Sequence, residues 1–262
     1  MPEALNFIVP PWPVPASVHA LTTTRRGGVS EGGYAGLNLA AHVGDATAAV
    51  ASNRQILYQE LRLGQPVVWL QQVHGTQVLV NPRAEAGAAA ISADAVYANE
   101  PGVVCAVLTA DCLPLLVTNA AGTEVAAIHA GWRGLAAGVI EATLHYFQAE
   151  VSALQVWLGP AIGPDAFEVG KEVCDVFTDA DPAALQAFQP GRPGHYLADL
   201  YALARLRLER LGVASEHVYG GTYCTYTQSS LFYSYRRENC TGRMASLIWL
   251  DPISATDFVD ER

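Results

Sequence analysis

The sequence has little lysine, little methionine and little charge of either sign. Lys171 is the single lysine beside fourteen arginines, one of the two methionines is the first residue, and charged residues make up 15% of the 262 positions. The apolar content is too high for a disordered chain. The net charge of −10 argues against a protein that follows a nucleic-acid backbone, because such proteins present a basic face. We therefore expect no nucleic-acid partner.

The marks of a secreted or membrane-bound protein are also missing. The five cysteines are odd in number and include no C-x-x-C pair, which argues against a disulfide framework. The first twenty residues lack a basic region followed by an apolar run, and no uninterrupted apolar stretch reaches about 18 residues. We expect a cytoplasmic protein with no membrane partner.

Apolar residues are abundant, at 51% of the chain, which is enough for one large core. Short apolar segments alternate with a few helical ones, which predicts a single α/β domain over residues 1–262, expected to be a monomer. The predicted strands are 67–73, 102–117, 124–130, 154–162, 217–223 and 245–250. The predicted helices are 48–62, 133–150, 169–177 and 197–212, the last capped by Gly212, and the Ala-rich segment 84–95 is predicted to be a loop.

One cysteine and one histidine lie in consecutive predicted strands within LTADCLPLLVTNAAGTEVAAIHAGWRG, residues 108–134. The turn residues 119–122 between them predict a hairpin in which Thr118 pairs with Thr123. On that register Cys112 lies directly opposite His129, with Cβ atoms about 4.5–5.5 Å apart. This separation suits two ligands of one metal ion, or a thiolate and its base.

The residues after His129 predict an anion site. Gly131 and Gly134 allow a sharp turn from strand to helix, and the new helix begins with free backbone N–H groups. Arg133 lies at the same point. A guanidinium beside a helix N-terminus is suited to phosphate or carboxylate.

A third candidate ligand is His74, which precedes Gly75 in WLQQVHGTQV. Two histidines and one cysteine can coordinate zinc and leave its fourth coordination position open, which is typical of catalytic sites. A Cys–His hydrolase and simple packing of these side chains stay open as alternatives. Of the other cysteines, Cys105, Cys174 and Cys240 are interpreted as structural, and Cys224 is ambiguous.

The sequence resembles the YfiH family, also called the laccase-domain or multicopper polyphenol oxidase family and, in some bacteria, peptidoglycan editing factor. The resemblance covers nearly the whole chain in order. The matching blocks are TTRRGGVSEGGYAGLNLAAHVGD (22–45), WLQQVHGTQV (69–78), ADAVYANEPGVVCAVLTADCLPLLV (93–117), AIHAGWRGLAAGVI (127–140), LGPAIGPDAFEVGKEV (158–173) and YSYRRENCTGRMASLIWL (233–250).

This resemblance implies a fold, a cofactor and an activity. The implied fold is a layered α/β/β/α sandwich with a mixed sheet, grouped with the cytotoxic necrotizing factor deamidases. The implied cofactor is one Zn²⁺ per chain, held by His74, Cys112 and His129, with Cu²⁺ as a substitute. The implied activity is phosphorolysis of purine nucleosides, with methylthioadenosine cleavage and adenosine deamination at the same site, so purine nucleoside and phosphate are the expected partners.

Roles for individual residues are hypotheses at this stage. Catalysis is assigned to Cys112, His129, His74 and Asp111, and substrate binding to Arg26, Asn38, Asp94, Arg133, Arg236 and Arg237. The arginines are candidates for binding phosphate. Asp111 and Asp94 are candidate acid/base partners, although strand alternation directs Asp111 away from Cys112 unless the chain bends there. Asn38 is either a ligand contact or a turn residue.

Three alternative functions stay open. The first is an amidase acting on muramyl-peptide precursors of the cell wall, using a metal-bound water or the Cys112 thiolate. The second is a copper oxidase of phenols, but the seven histidines include no H-x-H pair of the kind that multicopper sites commonly use. The third is a binding module without catalysis.

Overall fold

The computed structural model describes residues 4–83 and 90–251. Its strands are β1 (Phe7–Ile8), β2 (Val18–Thr23), β3 (Val78–Val80), β4 (Ala95–Ala98), β5 (Val104–Thr109), β6 (Leu113–Asn119), β7 (Val125–Ala130), β8 (Leu154–Leu158), β9 (Glu168–Gly170), β10 (Phe188–Pro190), β11 (His195–Ala198), β12 (Val218–Gly220) and β13 (Met244–Leu250). Its α-helices are α1 (Thr47–Glu60), α2 (Trp132–Ala137), α3 (Val139–Leu144), α4 (Lys171–Ala180) and α5 (Leu200–Leu211).

The strands form three sheets within these residues. A four-stranded antiparallel sheet has the order β1-β2-β13-β5. A six-stranded sheet has the order β12-β8-β6-β7-β4-β3 and is mixed, because β12 runs parallel to β8 and β3 runs parallel to β4. A small antiparallel sheet, β10-β11-β9, shares no strand pairing with either, but its residues Val169 and Phe188 pack in the same core as the six-stranded sheet.

Three apolar cores stack these elements into layers. Alternate residues of the six-stranded sheet, such as Leu115, pack against α2 to α5. The residues between them in sequence, such as Leu116, pack against Val107 and Ile248 of the four-stranded sheet. The outer face of the four-stranded sheet packs against Leu57 of α1. The predicted α/β/β/α sandwich with a mixed sheet is therefore confirmed, while its grouping with the cytotoxic necrotizing factor fold stays a prediction.

Two of the predicted strands are wrong in their extent. Residues 102–117 form two strands in different sheets, because the chain turns at Asp111, whose φ of 96° no strand residue adopts. In 67–73 only Gln71 makes a β-bridge, to Ser92. The amide side chain of Gln72 instead bonds both the N–H and the C=O of Leu108, taking the place of strand pairing.

The other strands and helices match in part. The strands at 124–130, 154–162, 217–223 and 245–250 are confirmed with shorter or shifted ends, and so are the helices at 48–62 and 197–212. Gly212 is the left-handed C-cap of α5, as predicted. The segment 169–177 begins as strand β9 before α4. Of the predicted loop 84–95, residues 84–89 lie outside the described residues, and Ala95 begins β4.

The predicted helix 133–150 is two short helices. Gly138 ends α2 and begins α3 with φ 95° and ψ 36°, a left-handed conformation that interrupts the helical hydrogen bonds. Ile140, Leu144 and Phe147 are buried as their spacing predicts, although Phe147 lies beyond α3.

Replacing Gly138 tests this interpretation of the helix break. Gly138→Ala should lower the free energy of unfolding by about 1–2 kcal/mol, because a β-carbon is disfavoured in the left-handed region. Gly138→Asn should lose less, since asparagine tolerates that region. Urea unfolding of the two variants and the wild type measures both effects. Equal stability of the alanine variant and the wild type would contradict the prediction.

Candidate metal centre and its cavity

Cys112 lies at the point where the chain crosses from one sheet to the other. Thr109 ends β5 in the four-stranded sheet and Leu113 begins β6 in the six-stranded sheet. Asp111 makes the turn with its positive φ, and its backbone oxygen accepts from the N–H of Ile162. The thiol of Cys112 is thereby held at the end of the interface between the two sheets.

His129 lies on β7, but its pairing differs from the predicted register. Pro114 is opposite His129, so the predicted direct pairing of Cys112 with His129 is wrong by two residues. Thr118 pairs with Val125 and not with Thr123. The side chain of Asn119 accepts from the N–H groups of Thr123 and Glu124, which places the turn between Asn119 and Glu124. A shift of two residues keeps every side chain on its face of the sheet, and Cys112 still lies near His129.

His74 precedes β3 in an irregular segment and has a positive φ of 59°. This conformation is fixed by the buried carboxylate of Asp94, which accepts from the N–H of His74 at 2.9 Å and of Gly75 at 2.7 Å. The same carboxylate accepts from Nδ1 of His129 at 2.8 Å. Asp94 therefore positions two of the three predicted ligands, and it does not line the cavity as a substrate-binding residue would.

The three side chains meet at one point. Nε2 of His74 lies 3.7 Å from Sγ of Cys112, and the ligating atoms of His74, Cys112 and His129 all lie within 4.8 Å of one another. The two imidazole rings cross at 73° with centroids 4.7 Å apart. Within residues 4–83 and 90–251 no other group of three histidine, cysteine or acidic side chains is arranged to hold a metal ion.

The side chains of the triad shift one another's pKa values. Burial raises the pKa of Cys112, but His129 and His74 outweigh it and lower that pKa to about 6. Burial also raises the pKa of Asp94, and the hydrogen bond from His129 with those from the backbone brings it below its usual value. Cys112 is therefore a thiolate at neutral pH, which is the form that coordinates metals. Burial lowers the pKa of His129, but the Cys112 thiolate and Asp94 outweigh it and raise that pKa to about 9. A metal ion that binds Nε2 therefore displaces a proton from it, while the hydrogen bond to Asp94 keeps the other proton on Nδ1.

These residues fit a metal ion in chemistry and in space. Two imidazole nitrogens and a thiolate are ligands that zinc and copper accept. Gly131 lies against them so closely that a β-carbon there would be 2.7 Å from Cδ2 of His74 and 2.9 Å from Sγ of Cys112. The glycine therefore leaves free the space in which the three donor atoms converge.

A cavity of about 500 Å³ opens beside the triad. Aromatic residues on its walls are Trp132, Phe167 and Tyr235, and its arginines are Arg133, Arg236 and Arg243. None of these three arginines forms an ion pair within the described part of the chain. Such a cavity can bind a planar ring together with an anion.

The predicted substrate residues divide into two groups. Arg133 and Arg236 line the cavity, where each guanidinium packs over an aromatic ring, that of Trp132 at 4.4 Å and that of Phe167 at 5.4 Å from the centroid. Arg26 and Arg237 do not line it. Arg26 donates to the backbone oxygen of Ser230, and Arg237 donates to three backbone oxygens of the loop that holds it.

Asn38 and Asp111 have structural contacts. Asn38 is fully buried, donates to Asp45 and accepts from the N–H of Arg243, so the turn interpretation is supported over a ligand contact. Both carboxylate oxygens of Asp111 are taken, one by the hydroxyl of Thr225 at 2.6 Å and one by the N–H of Arg236 at 2.7 Å. Asp111 thus ties the Cys112 turn to the loop that carries Arg236.

Sequence reasoning missed Arg243, His42 and Gln72, which also line the cavity. Arg243 comes from the end of the chain, and His42 from a loop before α1, so no spacing connects them with the triad. All three residues lie in sequence blocks that match the family, and this match was the one sign in the sequence that could have pointed to them. Cys105 and Cys174 are buried as expected, whereas Cys240 is exposed and is not a core residue.

Comparison with known proteins gives the family. A sequence profile of the family described as "Multi-copper polyphenol oxidoreductase laccase" matches residues 19–251. The chain belongs to this family. The predicted family is therefore confirmed, although the residues that the structure describes offer one three-ligand group and not several copper centres.

Individual relatives agree over nearly their whole length. A protein of Escherichia coli strain K12 named "Purine nucleoside phosphorylase YfiH" is 54% identical over 94% of this chain and 99% of its own. A "Purine nucleoside phosphorylase" of Haemophilus influenzae is 49% identical over 94% of this chain and 100% of its own. A crystal structure of a Neisseria meningitidis protein is 53% identical with a TM-score of 0.88, covering 94% of this chain and 99% of its own.

Removing the charge of Asp94 should weaken metal binding. Asp94→Asn offers His129 a weaker acceptor and disturbs the backbone of His74, so the affinity for Zn²⁺ should fall about 10- to 100-fold. Competition with a chromogenic chelator measures this affinity. Asp251→Asn is the matched control, because Asp251 also accepts from a histidine but at the surface. Equal affinity in the two variants would contradict the positioning role.

Filling the space beside the triad should also displace the ligands. Gly131→Ala puts a methyl group against His74 and Cys112, which should cost about 1–3 kcal/mol of metal-binding free energy. Gly64→Ala is the control, since a β-carbon there has no atom within 4 Å. Metal content after gel filtration reports the effect, and a fully loaded Gly131→Ala protein would show that the space is not needed.

Proposed function

We propose that this chain is a metal-dependent purine nucleoside phosphorylase whose zinc is held by His74, Cys112 and His129. The names of the Escherichia coli and Haemophilus influenzae relatives support this proposal. The observation that carries it is the meeting in one cavity of the triad, several aromatic walls and three arginines that form no ion pair with any described residue. These are the parts that a nucleoside and a phosphate ion require.

The reaction joins phosphate to the sugar and releases the base. A phosphate oxygen bonds to C1′ as the C1′–N9 bond breaks, and the bonding electrons leave with the purine, which takes up a proton. The products are ribose 1-phosphate and the free base. Arg133, Arg236 and Arg243 bind the phosphate, because guanidinium groups form paired hydrogen bonds with its oxygens.

The remaining cavity residues orient the nucleoside. Trp132, Phe167 and Tyr235 offer ring faces or edges against which the purine packs. An ion held by His74, Cys112 and His129 would supply Lewis-acid polarisation. Asp111 acts through Arg236, whose N–H it accepts, so we assign it a positioning role in place of direct acid/base catalysis. Methylthioadenosine cleavage and adenosine deamination belong to the same proposal, because the purine is the shared recognised group.

An assay with and without phosphate tests the proposal. Protein purified without chelators should carry about one zinc per chain and should release free base from inosine, adenosine or methylthioadenosine only when phosphate is present. Cys112→Ala should reduce this release to background, because it removes one ligand. Cys240→Ala, which removes an exposed thiol, should keep it. Chromatography follows the products, and a zinc-loaded protein without turnover of any of the three would refute the proposal.

A second function is favoured by one specific observation. Cys112 has a thiol pKa of about 6 beside His129, whose other nitrogen donates to Asp94, and this order of groups is typical of a thiol nucleophile. We therefore retain an amidase acting on muramyl-peptide precursors. Metal removal separates the two functions: a chelator should abolish phosphorolysis, whereas amide cleavage by the thiolate should persist in the metal-free protein.

A further inference from the structure

A second cavity of about 680 Å³ adjoins the metal cavity. His42, Gln72 and Leu108 line both of them, so the two cavities adjoin at these three residues. Each cavity alone has the size of a complete small-molecule pocket. Together they offer more volume than a nucleoside and a phosphate ion require.

Arg54 of α1 lines this second cavity and is its most informative residue. Its guanidinium lies 4.6 Å from the ring centroid of Trp69, and its Nε donates to the backbone oxygen of Leu39. No acidic side chain within residues 4–83 and 90–251 pairs with it. A half-buried positive charge without a partner is costly, although the chain carries ten more acidic than basic residues.

The surroundings of Arg54 indicate the kind of anion that would neutralise it. Trp69, Ile91 and Leu108 supply apolar or aromatic walls, and the volume far exceeds that of an inorganic anion. His42 stands between the two cavities, and its pKa is lowered by burial and by Arg243 and Arg54. It therefore adds a neutral hydrogen-bonding ring and no further charge near pH 7. The lining is suited to an organic group that ends in a carboxylate or a phosphate.

We propose that this second cavity is a substrate subsite, in which Arg54 binds the anionic end of a molecule whose reacting bond lies in the metal cavity. The guanidinium is already held by Trp69 and Leu39, so little side-chain freedom is lost when the anion binds. A phosphate monoester on a nucleoside and a carboxylate on a peptide share this chemistry. The inference rests on the proposed function in one respect: it assumes that the reaction takes place in the metal cavity.

Binding calorimetry with paired probes tests the subsite. The first pair is inosine and inosine 5′-monophosphate, and the second is N-acetyl-alanyl-glutamine amide and N-acetyl-alanyl-glutamate. The zinc-loaded wild type should bind the anionic member of at least one pair about tenfold more tightly, as one charge-assisted hydrogen bond predicts. In Arg54→Gln this ratio should fall to about one, and Arg54→Lys should keep part of it. The pair that shows the effect identifies the source of the anion.

Controls keep the outcomes separate. Arg210→Gln removes an exposed arginine that pairs with Asp181 on the helical side, and it should leave the ratio unchanged. Thermal unfolding of every variant shows whether a lost ratio reflects lost folding. An unchanged ratio in folded Arg54→Gln, the lack of any anionic preference in the wild type, or an effect on orthophosphate binding alone would overturn the subsite. Arg54-dependent binding without nucleoside turnover would refute the proposed function and leave the subsite standing.

Discussion

The site depends on one buried carboxylate. Asp94 accepts four hydrogen bonds, from Nδ1 of His129 and from the N–H groups of Val73, His74 and Gly75. A carboxylate that is fully buried is stable only when its oxygens are satisfied, and these four donors satisfy both. One side chain therefore orients both His129, which lies on a regular strand, and His74, which lies in an irregular segment. The positive φ of His74 persists because these hydrogen bonds hold it.

The turn at Asp111 provides the second constraint. Its left-handed conformation lets the chain leave the four-stranded sheet and enter the six-stranded sheet within three residues, which places Cys112 at the boundary of both. Its carboxylate joins Thr225 and Arg236 to the same point. Cys112 and one arginine of the cavity are thus connected through a single residue.

Much of the fold and of the triad could be predicted from local patterns. The apolar period of the strands predicted one α/β domain, and the blocks VHG, TADC and HAGWRG pointed to His74, Cys112 and His129. The layered sandwich was an implication of the family resemblance. The register was wrong because it depends on the side chain of Asn119, which closes the hairpin in a way that turn propensity does not show. Sequence spacing equally gives no sign that Gln72 replaces strand pairing or that Gly138 divides a helix.

The substrate residues were the least predictable part for a physical reason. Arg236 and Arg237 are neighbours in the sequence, which does not show that Arg236 lines a cavity whereas Arg237 donates to the backbone oxygens of its own loop. Arg243 and Arg54 come from segments that no local period connects with the triad. Both became candidates because neither forms an ion pair within residues 4–83 and 90–251 and because both line a cavity, which are properties of the folded chain alone.

The crossing at Asp111 also has a consequence for how the protein assembles. His74 and Cys112 are 38 residues apart, and the arginine loop that Asp111 holds lies more than a hundred residues further along the chain. Closing such long loops costs chain entropy, and an unfolded chain does not hold these donor atoms together. The three donor atoms lie together only where both sheets are in place. An ion that bound them would therefore stabilise the folded chain over the unfolded one, so that metal affinity and fold stability would be linked.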